Sequence, residues 1–197
     1  MLDYSTIVKG IVLLSWGIVI LVSVANPLTL MFRRFLRRIF SKLGEIPYLI
    51  LLALMLLSTL LLAYSLRERI LSHRLSLPPA ADYAGVLILL SGFFLDFWAT
   101  SSLGWKAVLN IPTAVGSEGM RRLTREGAYA FSRNPLYVGD ALIVAGLLLL
   151  TGYASLILLL VIYLAHVLVQ VRLEEHELTE TFGKEYYGYM RTVPRFL

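Results

Sequence analysis

The chain has 197 residues, 58% of them hydrophobic and only 16% charged, with a formal net charge of +5. A soluble domain of this length is about half apolar and about a quarter charged, so the excess, gathered in long runs, marks an integral membrane protein. The absence of cysteine excludes disulfides, thiolate metal sites and thiol catalysis, and in a membrane chain the net positive charge belongs to arginines flanking spans rather than to a nucleic-acid surface.

Five apolar runs, at about 7–30, 46–65, 83–100, 136–150 and 154–171, each predict a membrane helix. The first lacks a charged segment ahead of it and a small-x-small cleavage site, which predicts a retained helix rather than a signal peptide. It is followed by MFRRFLRRIFSK (31–42), with arginines at i, i+1, i+4 and i+5 and Phe and Ile between. That pattern predicts an interfacial amphipathic helix on anionic headgroups. The fourth run spans about 22 Å at about 1.5 Å per residue, short for a crossing. TGYAS (151–155) alone separates it from the fifth, which predicts a tight helical hairpin. After the fifth run, LEEHELTETFGKEYYGYMRTVPRFL stays helical in pattern, with Leu173, Leu178 and Phe182 in apolar register and Gly183 as a stop or bend. The expected fold is therefore all-α, with about five transmembrane helices and a C-terminal helix outside the bilayer.

Charge sets the expected orientation. Fourteen of the Lys and Arg residues fall in the 31–45 loop, the 100–135 loop (Arg121 among them) and the C-terminal segment; Lys9, Arg67, Arg69 and Arg74 lie on the other side. The excess of positive charge predicts a cytoplasmic C-terminus and an external N-terminus.

Polar residues cluster on that same face. In GAYAFSRNPLYVGD (127–140), Pro135 suits the first turn of a helix that Ser132 or Asn134 would cap. Its free N–H groups and the planar Arg133 suit a carboxylate or phosphate. His166, Gln170, Glu174 and Glu177 follow at i, i+4, i+8 and i+11, on one face of one helix. Inside a span such groups need a polar partner or a wet cavity. Phe182, Tyr186, Tyr187 and Tyr189 offer flat walls for a planar base. Asp96 and Asp140, both within spans, are expected each to pair with an arginine. With no HExxH, and with His166 and His176 ten residues apart, the chain is not expected to bind metal. An arginine with a helix N-terminus, glutamates for hydroxyls or an ammonium, and aromatics for a base together describe a site for S-adenosylmethionine.

GAYAFSRNPLYVG resembles the G-x-Y-x-x-x-R-[HN]-P-x-Y-x-G signature of the isoprenylcysteine carboxyl methyltransferase and phospholipid methyltransferase superfamily. EEHELTETFGKEYYGYMRTVPRF resembles that superfamily's closing E-E-x-x-L-x-x-x-F-G-x-x-Y-x-x-Y segment, and LGW (103–105) stands where it carries Leu-Gly and then Trp. The resemblance covers about 103–197 and implies a helical membrane methyltransferase using S-adenosylmethionine. Carried over, Tyr129, Arg133, Asn134, Pro135, Tyr137 and Gly139 belong to the first cofactor segment. His166, Gln170, Glu174, Glu175, Tyr186 and Tyr189 complete the expected set, with Arg133 and Glu174 as catalytic candidates. Residues 1–102 are then the N-terminal helices and 103–197 the cofactor-binding region of a single structural unit. Asn134 replaces the histidine of prenylcysteine enzymes, and around Gly104 a single glycine replaces the G-x-G of phospholipid enzymes. The acceptor is left open between a prenylcysteine-like carboxylate and a phospholipid-type headgroup. The alternatives are an NADPH-dependent membrane reductase with a similar C-terminal half, and a non-catalytic lipid-binding protein.

Overall fold

The computed structural model describes residues 3–116 and 122–196; Arg121, one of the basic residues counted above, lies outside them. Helix α1 runs Tyr4–Met31, α2 Arg33–Leu43, α3 Glu45–Ser65 and α4 Arg67–Ile70. Then follow α5 at Ala80–Leu103, α6 at Trp105–Val108 and α7 at Ile111–Val115. A 3-10 turn at Gly127–Ala130 leads to α8 at Pro135–Thr151, α9 at Ser155–Phe182 and α10 at Lys184–Thr192. Four of these, α1, α3, α5 and α9, are long and apolar enough to cross a membrane, and α8 is a shorter apolar helix of 17 residues. The all-helical membrane architecture expected from the apolar runs is the one observed; α9 continues well past its run, to Phe182.

Leucines such as Leu54, Leu61, Leu87 and Leu90 point outward and are exposed, as lipid-facing positions must be when the solvent is hydrocarbon. The main core is made where α1, α8 and α9 meet, around Val12, Val144, Leu156, Leu159, Tyr163 and Val167. A second, smaller core joins α2 and α3 to α7 through Phe40, Tyr48, Ile111 and Ala114.

The closest approach of two helices is between α5 and α8. Gly85 and Gly92 on α5, and Gly139 and Gly146 on α8, are each seven residues apart and so share a face. A Cβ at Gly92 would lie 2.8 Å from the Gly139 carbonyl oxygen, and one at Gly146 would lie 2.7 Å from the Leu89 nitrogen. The two backbones touch because neither carries a side chain there, the usual basis of close packing in membranes.

The two ends of the bundle differ. At one end α2, residues 104–116 and 122–134, and α10 gather, tied by ion pairs of Lys106 with Glu45, Arg33 with Glu177 and Glu180, and Arg125 with Glu185. At the other, the 73–75 segment is bonded to the α8–α9 turn. Leu75 N–H donates to the Gly152 carbonyl at 2.7 Å, and the Arg74 guanidinium donates to the Thr151 carbonyl at 2.8 and 2.9 Å. Gly152 ends α8 with φ of +68°, so TGYAS closes the tight hairpin its length predicts. Arg74 is thus a cap for a helix end rather than a headgroup anchor.

Candidate functional site

The polar residues of α8, α9 and α10 meet at the basic end of the bundle. Pro135 opens α8 at its first position, and Asn134 precedes it in an extended-side, non-helical conformation. The expected side-chain cap does not form: Asn134 instead donates through Nδ2 to the Arg195 carbonyl at 3.0 Å, and Ser132 Oγ accepts from the Asn134 N–H at 3.2 Å. The reason is the C-terminal segment, which crosses this turn. The Arg133 N–H donates to the Pro194 carbonyl at 3.0 Å, so residues 194 and 195 bind the backbone and side chains of 132–134. The start of α8 keeps no side-chain cap.

Glu174 and Glu175 are neighbours with separate tasks. Glu174 Oε1 accepts a hydrogen bond from Tyr137 Oη at 2.6 Å and another from Gln170 Nε2 at 2.9 Å. Glu175 lies between two arginines: Arg133 Nη2 is 3.1 Å from its Oε1, and Arg195 donates to both its oxygens at 3.2 and 2.6 Å. Hydrogen bonding to Glu175 raises the Arg195 pKa further above its ordinary value. The Arg133 side chain is 9% exposed, yet its Nε and Nη1 are buried with no hydrogen-bond partner among the described residues. The same is true of Gln170 Oε1 and of His166 Nε2.

Tyr129, Tyr186 and Tyr189 wall this cluster, all three buried. Tyr189 Oη donates to the Tyr129 carbonyl at 2.6 Å, and the Tyr186 and Tyr189 rings are 6.0 Å apart and tilted by 56°. Burial pushes the Tyr186 hydroxyl up to about 12; Glu175 adds to that and Arg133 opposes it. Burial likewise raises Tyr189 to about 12 against the pull of Arg133 and Arg125. Burial raises Tyr129 as well, with Glu174, Tyr189 and Asp96 reinforcing it. All three stay protonated at neutral pH, so they are hydrogen-bond donors and apolar walls, not bases.

Some expected residues sit elsewhere. Gly139 faces α5: a Cβ there would fall 2.0 Å from Asp96 Oδ1, so its smallness serves helix packing. Glu177 turns away from Glu174 and, buried, pairs with Arg33 of α2 at 3.7 Å. Tyr187, exposed, takes no part. Among the described residues neither Asp96 nor Asp140 finds the arginine expected of it. Asp140 Oδ2 accepts from Tyr163 Oη at 2.7 Å, and the Asp96 carboxyl lies beside Asp140. The glycine contact between α5 and α8, where Gly139 lies against Asp96, brings the two aspartates together. Sequence reasoning missed Arg195 as a site residue, although V-P-R was visible; a carboxylate already facing one arginine gives no sign that a second will reach it from 20 residues away.

The phospholipid methyltransferase family model matches residues 81–185, from the start of α5 into α10. This region begins earlier than the resemblance to 103–197 implied, and so takes in the helix that packs on α8. No curated protein and no solved structure matches the chain. The match covers more than half of the sequence and contains the Arg133 and Glu174–Glu175 cluster. The chain belongs to the phospholipid methyltransferase family, whose chemistry is methyl transfer to lipid-like acceptors at a membrane.

Proposed function

We propose that this protein is an S-adenosylmethionine-dependent methyltransferase acting on a lipophilic acceptor at the cytosolic membrane face. The observation that carries this reading is the set of buried polar atoms without a partner among the described residues at one end of the bundle: Arg133 Nε and Nη1, Gln170 Oε1 and His166 Nε2. Each such atom costs about 1–3 kcal/mol if nothing meets it. A zwitterionic ligand with hydroxyls and a planar base supplies groups of the kind these atoms lack, beside aromatic side chains suited to a base.

When bound, S-adenosylmethionine supplies an electrophilic methyl group for transfer in line to the acceptor. In this reading Arg133, held by Glu175 and by the Pro194 carbonyl, orients the cofactor carboxylate or an acidic acceptor. Glu174, fixed by Tyr137 and Gln170, binds ribose hydroxyls or the ammonium. Tyr129, Tyr186 and Tyr189 enclose the base, and the uncapped start of α8, with Asn134 and Pro135, favours negative charge. A carboxylate acceptor arrives ionised and needs only a cation. An amine acceptor must lose a proton, for which Glu174 and His166 are the available groups. Residues 103–197 carry these contacts within one structural unit, and residues 1–102 contribute α5, against which α8 is packed.

The test is calorimetry of the purified chain in detergent with S-adenosylmethionine and with NADPH. Saturable binding of the first alone is expected, followed by transfer of a labelled methyl group into a lipid extract. Binding of NADPH alone defeats the reading in favour of a reductase, and binding of neither favours a non-catalytic protein. Orientation is tested separately. With the basic end cytoplasmic, Ser72→Cys reacts with an impermeant thiol reagent in intact cells and Ser41→Cys does not; equal labelling refutes that topology.

A further inference from the structure

Helix α2 carries Arg33, Arg34, Arg37, Arg38 and Lys42 and no acidic residue. It lies outside the region matched by the family model, and the proposed methyl transfer makes no use of it. Two cavities meet on its flank. One, of about 580 Å³, is lined by all four arginines together with Ser41, Glu180 and Thr181. The other, of about 510 Å³, shares Arg33, Arg34 and Glu180 with the first; the rest of its wall is Leu30, Met31, Phe32, Phe35 and Leu173 with His176 and Glu177 at one edge. Both volumes lie in the range of about 300–1,000 Å³ that small-molecule sites occupy.

Arg33 is satisfied within the protein, by Glu180 at 3.3 Å and Glu177 at 3.7 Å. Arg34 and Arg38 are exposed and have no carboxylate partner among the described residues. Two arginines of this cavity wall, Arg34 and Arg38, are thus left to meet an anion. A topological signal needs positive charge near the headgroups but not a cavity. Here the arginines form a wall, and an apolar compartment opens directly from it.

We propose that this pair of cavities is a binding site for an anionic phospholipid, distinct from the methyl-transfer site, with the phosphate between Arg34 and Arg38 and an acyl chain along Phe32, Phe35 and Leu173. Arginine forks bind phosphate oxygens bidentately, and the shared wall at Arg33 and Arg34 lies where head joins tail. Glu180 is the internal competitor: it occupies Arg33 until a phosphate approaches. The occupant is a membrane lipid rather than free phosphate, because half of the site is apolar.

The inference stands apart from the methyltransferase reading and is tested without it. The purified chain in neutral maltoside detergent is titrated with short-chain phosphatidylglycerol, short-chain phosphatidylcholine and inorganic phosphate, and binding is followed by thermophoresis. Saturable binding is expected for phosphatidylglycerol only. The Arg34→Gln/Arg38→Gln double variant should weaken it about thirtyfold, from about fivefold per arginine at a lipid surface. Glu180→Gln should tighten it severalfold by freeing Arg33. Arg172→Gln, which removes an exposed arginine that lines neither cavity, should leave it unchanged. The proposal is overturned if the double variant binds like the parent, if Arg172→Gln weakens binding as much, if Glu180→Gln fails to tighten it, or if inorganic phosphate binds as well as the lipid.

Discussion

The α1–α3 pair and the α5–α8 pair are both made of apolar membrane helices, but they pack by different means. Between α1 and α3 the near contact is Gly17 with the Leu60 side chain, where a Cβ would meet the Leu60 Cδ2 at 2.5 Å. Between α5 and α8, backbone meets backbone at Gly92–Gly139 and at Gly146–Leu89. A leucine side chain can turn aside, whereas a helix backbone cannot. The first pair is adjustable and the second is fixed, and the second holds Tyr137 and the start of α8 opposite Glu174. Precision in this molecule is concentrated where the proposed chemistry is.

That contrast can be broken at several points. The largest effect is expected at the site that the rigid pair supports. Glu174→Gln keeps shape and removes charge, and should weaken S-adenosylmethionine binding by about 1.5–3 kcal/mol, or about ten- to a hundredfold. Calorimetry showing parental affinity in this variant would remove Glu174 from the site.

Next comes the seam itself. Gly146→Ala drives a Cβ into the Leu89 backbone and should destabilise the fold by about 1–3 kcal/mol, the usual cost of overpacking. Gly17→Ala, relieved by a rotation of Leu60, should stay within about 1 kcal/mol. Thermal unfolding of both in the same detergent checks the pair; equal losses would show that the two interfaces are alike.

Arg133→Lys separates recognition from anchoring. Lysine retains the charge but not the planar fork, so insertion and melting temperature should hold while methyl transfer falls at least about tenfold. A loss in cofactor affinity identifies the cofactor as its partner, and a loss only in turnover identifies the acceptor. A fully active variant would reduce Arg133 to an anchor.

The smallest effect on function is expected from Arg195→Gln. With Arg195 gone, Glu175 is left to Arg133 alone and draws it away from the ligand. Because the Arg195 side chain is 44% exposed, solvent limits the cost, and cofactor affinity should fall about two- to fivefold. Arg195→Lys should recover part of it. A variant with unchanged affinity would mean that the C-terminal segment acts only through its backbone carbonyls.

Much of this molecule follows from the chain read in order. Spans, the amphipathic α2, the TGYAS hairpin and the break at Gly183 depend on local hydropathy and on backbone preferences, which are written within a few residues of where they act. The family signature was legible for the same reason, as were Tyr137, Arg133 and the glutamate pair as polar residues out of place in or near a bilayer. What only the tertiary structure decided is which of these groups meet. Asn134 turned from capping α8 to holding the Arg195 carbonyl, Glu177 left its helical neighbours for Arg33, and Asp96 met Asp140 instead of an arginine. Each choice depends on how closely two helices distant in sequence approach and on what else competes for the same atom. The glycines spaced by seven on α5 and α8 did signal such an approach. Their partner and depth were set by packing, because a missing side chain marks a contact without naming what will fill it.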